Sequence, residues 1–459
     1  MSSPNIVNVE KFEILPSNQP ANNTYSFRGG NPIITMTIPA QAKFLRPSSL
    51  RINGTLRVVK ADGTNVDNLG LRAVAAGGGV AHAVQLSSRV GVHSVFQNVV
   101  LSSEATNQSL EAIRQYGRLV SSLLSSTHSE QDLMSEKSVC DVLDGVDAPS
   151  STLVNNDVRF SIPLYCGMLM GGNPIPLSMN GVNGLKIQLE LAADQQVLKG
   201  ANATDGAGAF YQLKDVSVSG DLLVGDDKTT SSLSVAGSGA FQYNSYSSLY
   251  SVINSSDATQ TYNLANSQVL SVFHNFLPVS HANNYAQDGF TNGELLNTDP
   301  ANPANYDQAV KLKRVSFSRG GVKLGLDYEL DVEENSTEGL PETQVNINYL
   351  NAFQPYSTMS RMVNDKKLLS YGGADLVPYK NPLGNGSRQV GVDNDAGRRN
   401  FGIGLAMDRV SDVGVSFKGQ SYSTRIVSDL DGKSPNAVYT FVLAKNTLQY
   451  SPNGIMVMS

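Results

Sequence analysis

The chain has no tryptophan, and only two cysteines and five histidines among its 459 residues. Two cysteines, Cys140 and Cys166, are no disulfide framework for a chain this long, so an apolar core has to hold the fold and a reducing compartment is expected. Charge is also scarce, at 16% of residues, against roughly 25% in ordinary soluble domains. The formal net charge is −6, and the densest basic groups, Lys311, Lys313 and Arg314, then Arg398 and Arg399, are short. Proteins that hold nucleic acid by neutralising phosphates cluster Lys and Arg, so these groups read as solvated faces or subunit contacts, and no sequence-specific nucleic-acid binding is expected. No stretch of about 18 apolar residues occurs, so no transmembrane segment is expected. The opening MSSPNIVNVEKFEILPSNQP has neither a basic nor an apolar signal region, so no signal peptide is expected. The sequons at Asn22, Asn53, Asn107, Asn202, Asn254, Asn335 and Asn385 are then chance matches in an Asn/Ser/Thr-rich chain, and Asn53 falls inside a predicted strand.

Catalytic and ligand-binding constellations are missing as well. His82, His93, His128, His274 and His281 form no H-E-x-x-H pair, and no cysteine stands at metal-ligand spacing from any of them. His274 and His281, which flank NFLPVS, read as strand or loop histidines. Gly432-Lys433-Ser434 resembles the end of a phosphate-binding loop, but Val427 stands where the first glycine is needed and Pro435 follows at once. Asp393, Asp395 and Gly397, and separately Asp429 and Asp431, suggest calcium loops without the ligand at position five or the glycine at six, and read as turn aspartates. No G-x-S-x-G elbow exists. No catalytic, cofactor-binding or metal-ligating residue is therefore assigned, and the chain is not expected to be an enzyme.

What the chain does contain is alternation. Leu185, Ile187, Leu189 and Leu191 alternate with Lys186, Gln188 and Glu190, the period-2 pattern of a sheet with one buried face. Leu50, Ile52, Leu56 and Val58 do the same against Arg51, Asn53, Thr55 and Arg57, with Gly54 as an expected bulge. Gly91 to Ser102 reads as strand, and Val216, Val218, Leu222 and Val224 supply another. The longest alternation runs through Val322, Leu324, Leu326, Tyr328, Leu330 and Val332, preceded by an expected hairpin turn at Arg319, Gly320 and Gly321. Further strands are expected around Val345, Ile347 and Tyr349, at Ile403, Leu405 and Met407, at Val413, Val415 and Phe417, and at Tyr439, Phe441 and Leu443. One helix is predicted from Asn107 onward, with Leu110, Ile113, Val120 and Leu124 at helical spacing, Tyr116 and Leu123 widening the stripe, and Glu111 near its start.

Many short strands punctuated by Gly, Pro and Asn predict β-sandwiches, and sandwiches of roughly 200–250 residues predict two domains. The uncharged linker TTSSLSVAGSGAF from Thr229 puts a boundary near Ala236. The organisation expected is an extended N-terminal arm over 1–25, able to add to a neighbour's sheet edge, then sandwiches over 26–236 and 237–459. No repeat at fixed period links the two halves.

The segment VRFSIPLYCGMLMGGNPIPLSMNGVNGLKIQLELAAD, from Val158 to Asp194, joins an apolar strand to an alternating one through a Gly-Gly-Asn-x-x-Pro-Leu corner. This order resembles the first jelly roll of double-jelly-roll major capsid proteins, most of all those of polinton-like viruses, virophages and related large DNA viruses. FLRPSSLRINGTLRV from Phe44, the stretch Gly91 to Leu124 with its EAIRQYGRL core, SQVLSVFHNFLPVSHANNY from Ser267 and KRVSFSRGGVKLGLDYEL from Lys313 are similar to further parts of that family. Ala201 to Ala209 and Asp288 to Asp307 show no family pattern. The resemblance implies an all-β fold of two consecutive eight-stranded jelly rolls with one short helix and long loops. It implies a structural virion protein, a homotrimer whose six jelly rolls make a pseudo-hexagonal capsomer of an icosahedral DNA virus capsid. The implied partners are further copies of the chain, neighbouring capsomers, and penton and minor capsid proteins, with assembly inside the infected host cell. The competing reading from a different class is a carbohydrate-binding or adhesive β-sandwich, such as a lectin or receptor-binding spike. Exposed Trp/Tyr platforms, a signal peptide or well-formed calcium loops would favour it.

Overall fold

The computed structural model describes residues 5–63, 68–69, 83–86, 90–127, 157–179, 181–200, 208–226, 228–229, 238–285, 289–290, 296–297, 308–309, 312–324, 330–331, 403–407, 414–428, 430, 435–451 and 454–459. Eight main strands follow one another in the first half: β1 (Ile6–Ile14), β2 (Ile33–Pro39), β3 (Arg51–Val59), β4 (Phe96–Ser103), β5 (Ser109–Arg114), β6 (Asp157–Pro163), β7 (Gly184–Leu191) and β8 (Phe210–Gly225). The second half supplies β9 (Gly239–Ile253), β10 (Asp257–Asn263), β11 (Val269–Pro278), β12 (Leu312–Arg319), β13 (Val322–Lys323), β14 (Ile403–Ala406), β15 (Ser421–Ser428) and β16 (Asn436–Ser451). Shorter pieces extend these sheets, among them Phe44–Leu45 beside β8, Ile175–Pro176 beside Phe44–Leu45, and Leu330–Asp331 beside β12.

The pairing order is the same in both halves. In the first, the sheets run β1-β8-β3-β6 and β2-β7-β4-β5; in the second, β9-β16-β11-β14 and β10-β15-β12-β13. Counted by position, each half pairs its first strand with its eighth, third and sixth, and its second with its seventh, fourth and fifth. Every one of these pairings is antiparallel. Each half is thus an eight-stranded jelly roll of two facing sheets.

Burial follows the alternation. On β7, Leu185, Ile187, Leu189 and Leu191 are buried while Glu190 is exposed. They share a core with Ile34, Met36 and Ile38 of β2 and, from the facing sheet, Ile52, Leu56 and Val58 of β3. In the second jelly roll, Val315 and Phe317 of β12 and Tyr422 and Ile426 of β15 meet Val272 and Phe276 of β11 and Val438 and Val442 of β16.

The two jelly rolls also share a sheet. β9 lies parallel to β5, with Ser247 opposite Ala112, and this joins β14-β11-β16-β9 to β5-β4-β7-β2. The opposite face of the second half's sheet is not left to solvent: Leu270, Phe273 and Leu277 of β11 and Ala437, Tyr439, Phe441 and Leu443 of β16 belong to the first core. Every residue of β11 is buried as a result, and such strands read as continuous apolar runs rather than as alternation.

Several expectations meet a different arrangement. Residues 1–25 contain β1, which pairs with β8 from Ile6 opposite Gly225 to Ile14 opposite Val218 and takes the first place in the jelly-roll order. Its apolar content is thin because Val7 and Val9 are exposed while Phe12 and Ile14 alone pack on the core. The predicted helix from Asn107 is a strand and then a helix. Leu110 and Ile113 lie on β5, Gln115 turns the chain at φ 58°, and α1 (Tyr116–Thr127) follows; a short apolar run fits both periods. The expected strand from Gly91 opens as a 3-10 turn, Gly91–Val95. The bulge is opposite Gly54 rather than at it: Lys214 and Ser217 of β8 face Thr55 and Asn53, so two β8 residues oppose one. Asp215 there has φ 50°, and Gly54 leaves room for Phe160, whose ring would stand 2.8 Å from a Cβ.

The Gly320-Gly321 turn is formed, with φ of 54° and 83°, the left-handed pair that a two-residue type I′ hairpin requires. The strand after it is not one unbroken ladder. Lys323 pairs with Ser318 and Leu330 with Val315, seven residues of one strand against three of the other, and Val322 is 72% exposed. Leu326 and Tyr328, together with Val332, Val345, Ile347, Tyr349 and Val413, lie outside the described residues. Val415 forms a single bridge to Val269 instead of a strand.

A strand buried on both faces makes a direct prediction. Phe273→Ala and Phe276→Ala, on opposite faces of β11, should each lower the unfolding free energy by about 3–5 kcal/mol in chemical denaturation. Near-neutrality of either one would mean that only one face of β11 is core.

Candidate functional site

The described residues bring no catalytic constellation together, and they contain no group of three or more His, Cys, Asp or Glu side chains able to hold a metal ion. His93, His274 and His281 are all buried, while His82 and His128, Asp393, Asp395, Asp429, Asp431 and Lys433 lie outside the described residues. Of the basic groups, Arg314 is exposed on β12. His274 sits in the second core between Thr440 Oγ1 at 2.7 Å, Tyr422 OH at 2.9 Å and Thr424 Oγ1 at 3.0 Å. Burial holds its ring neutral, with a pKa pushed down to about 3. This is a packed polar network, not a general base.

The distinctive chemistry is at the junction of the two jelly rolls. Glu111 on β5 is 3% exposed, and its carboxylate accepts three backbone N–H groups. Gly167 (2.8 Å) and Met168 (3.0 Å) come from the first half, and Tyr246 of β9 (2.7 Å) from the second. Burial raises its pKa to about 7, against the lowering pull of those three hydrogen bonds. The neighbouring Cys166 thiol is pushed up by burial and then by Glu111, as is the Tyr243 hydroxyl. Tyr243 OH donates to Leu110 O at 2.8 Å, a second tie between β9 and β5. Gly167 is there because a Cβ would stand 2.8 Å from the backbone of Asn244 and Ser245.

Helix α1 forms the rest of the junction. Its apolar residues Tyr116, Leu119, Val120 and Leu123 enter the first core. Arg118, 1% exposed, lays its guanidinium over the Tyr439 ring at 4.5 Å. Ser121 donates to Phe290 O at 2.6 Å, and Asn275 of β11 donates to Ser122 Oγ. At the opposite end of β16, the strand Gly454–Met458 returns along it, and Ile455 and Val457 pack on the first core. The alternation patterns carried no sign of this junction. The one available signal was a glutamate in an otherwise apolar run, Leu110 to Ile113, which reads equally well as a helix start.

Glu111 and His274 set opposite pH limits. A carboxyl whose folded pKa of about 7 exceeds its usual 4.5 contributes stability that is complete below 4.5 and lost as pH rises through 7. A histidine lowered from 6.5 to about 3 contributes stability that is complete above 6.5 and lost as pH falls toward 3. Each slope is limited to about 1.4 kcal/mol per pH unit. In melting curves between pH 4.5 and 7, Glu111→Gln should remove the alkaline-going loss and leave the acid-going one; an unchanged pH profile would show that Glu111 does not titrate there.

By sequence, the chain matches no family model and no curated protein. By structure, it is similar over its whole length to capsid proteins. Against the PBCV-1 virus capsid it is 12% identical with a TM-score of 0.59, covering 100% of this chain and 98% of that one. Against the faustovirus major capsid protein it is 10% identical with a TM-score of 0.59, covering 98% and 92%. Against the Sputnik virophage structure it is 8% identical with a TM-score of 0.51, covering 100% and 89%. The fold is therefore an all-β double jelly roll of the kind seen in these virus shells.

Proposed function

We propose that the chain is the major capsid protein of an icosahedral DNA virus, a non-enzymatic building block located in the virion shell. The observation that carries this reading is the pair of jelly rolls with one strand order, in a chain similar from end to end to the PBCV-1 and faustovirus capsid proteins. Two equivalent sandwiches per chain let three chains make a six-sided unit, and a threefold rotation closes where an open one would give a fibre. Assembly is then the mechanism. Neighbouring capsomers, penton proteins and minor capsid proteins are the partners this role calls for.

The fold supports that role physically. A shell protein accumulates at high concentration, where free sheet edges recruit one another. The outer edge of β2 is occupied by its own chain: Ser17 N–H donates to Thr35 O at 2.8 Å, and the Asn18 side chain accepts from Thr35 N–H at 2.9 Å and donates to Ile33 O at 2.8 Å. The adhesive reading gains no support from any of these observations.

Light scattering on the purified protein at moderate salt should give three times the 49.0 kDa of one chain, and negative-stain images should show six-sided particles. A stable monomer across micromolar concentrations would overturn the proposal.

A further inference from the structure

Within the chain, the two jelly rolls meet by one particular pair of edges. Strand five of the first, β5, lies parallel to strand one of the second, β9, with Ser247 opposite Ala112. The first jelly roll also covers the outward face of the sheet that β9 opens, since Phe273, Tyr439 and Phe441 belong to its core. Both jelly rolls have the same strand order, so each also holds the other edge of this joint. Strand one of the first is β1, and strand five of the second opens at β13. Among the described residues β1 pairs with β8 alone and β13 with β12 alone.

Both of these edges carry uncovered apolar side chains. Phe12 and Ile14 of β1 pack on the core, so Val7 and Val9, of the other parity, point away from it, as does Leu15 just beyond the strand. The three most exposed large apolar residues among the described ones are Val322 of β13 at 72%, Val7 at 62% and Leu15 at 60%. Single exposed apolar residues are ordinary, but these gather on the two strands that the internal joint leaves over. Five consecutive residues of β1, from Val7 to Lys11, are exposed. Val9 N–H donates to the side chain of its own neighbour, Asn8 Oδ1 at 2.8 Å, where an inner strand would donate to the next strand's carbonyl. Further along the same face, Arg51 is bonded to Ser161 at 3.0 Å and Asn53 to Ser219 at 2.9 Å. A face whose polar groups are already satisfied suits a joint between chains that fold first and associate afterwards.

We infer that β1 of one copy takes strand five of a second copy, at Val322, as a parallel neighbour, repeating between chains the joint that β5 and β9 make within one. The contact is heterologous: each chain offers β13 and receives on β1, so it builds a ring and not an isolated pair. Closing the ring occupies both edges in every chain and leaves neither to recruit further copies. This inference rests on the trimer of the capsid reading and adds to it the surfaces that make the trimer.

The test uses the full-length chain carrying Val9→Asp or Val322→Asp, with light scattering over a dilution series and circular dichroism as the check on folding. The original chain should be trimeric, and each variant should fall apart at a protein concentration at least tenfold higher. An equimolar mixture of the two variants keeps one sound β1 edge and one sound β13 edge, and should give pairs of chains that neither variant forms alone. Where a variant's circular dichroism departs from the original, Val7→Asp or Val322→Glu takes its place. Undiminished trimers in both variants would overturn the inference and leave the capsid reading standing, whereas a monomeric original chain would overturn both. Pairs formed by Val322→Asp alone would show two β1 edges meeting each other and overturn it as well, as would a mixture that associates no better than its parts.

Discussion

The structure depends on covering the outward face of one sheet. β11 and β16 carry apolar side chains on both faces: Val272, Phe276, Val438 and Val442 fill the second jelly roll, and Phe273, Leu277, Phe441 and Leu443 point out of it. At about 25 cal/mol per Å² of apolar surface, leaving four such side chains in water would forfeit several kcal/mol, a large share of a domain's net stability. The first jelly roll supplies the cover through α1. That one requirement explains why the helix sits between β5 and β6, why Arg118 is buried against Tyr439, and why Gly117 lacks a side chain where Phe290 would stand 2.6 Å from a Cβ.

Covering an apolar face fixes distance but not register. Polar groups do that here, because buried carboxylates and amides tolerate only geometries that satisfy them. Glu111 reads the backbone of Gly167, Met168 and Tyr246 together, and a slide of β9 along β5 by one residue would leave a buried charge and a buried N–H unpaired. The junction is therefore a rigid union and not a hinge, which suits a unit that must present its two sandwiches at one fixed angle wherever it is used in the proposed shell.

The parts of this fold legible in the sequence are those where one face is wet. β7 announced itself because Lys186, Gln188 and Glu190 separate its leucines and isoleucine, and the Gly320-Gly321 turn because only glycine takes two left-handed positions freely. What stayed hidden had no such contrast. β11 offers no polar alternation because both of its faces are buried. β1 reads as a tail because an edge strand needs few apolar contacts when its neighbour β8 supplies the hydrogen bonds. Glu111 looks like a helix-start acid until the partner strand, 135 residues later in the chain, is known. The resemblance to capsid proteins reached the architecture because it draws on the order of strands and corners, which survives where individual side chains are unrelated.

The same contrast accounts for two jelly rolls of one strand order with no visible repeat between them. β3 and β11 both hold third place in their jelly rolls, yet β3 sets Arg51, Asn53, Thr55 and Arg57 between its buried residues while β11 is buried throughout. The topology asks of a third strand only that one face reach the core and both edges pair. What the other face meets is decided elsewhere: for β11 it is the first core and α1, and for β3 it is the side away from its own core. Identical pairing therefore imposes different sequence patterns on equivalent strands, and periodicity in the sequence reports the surroundings of each jelly roll more than the plan they share.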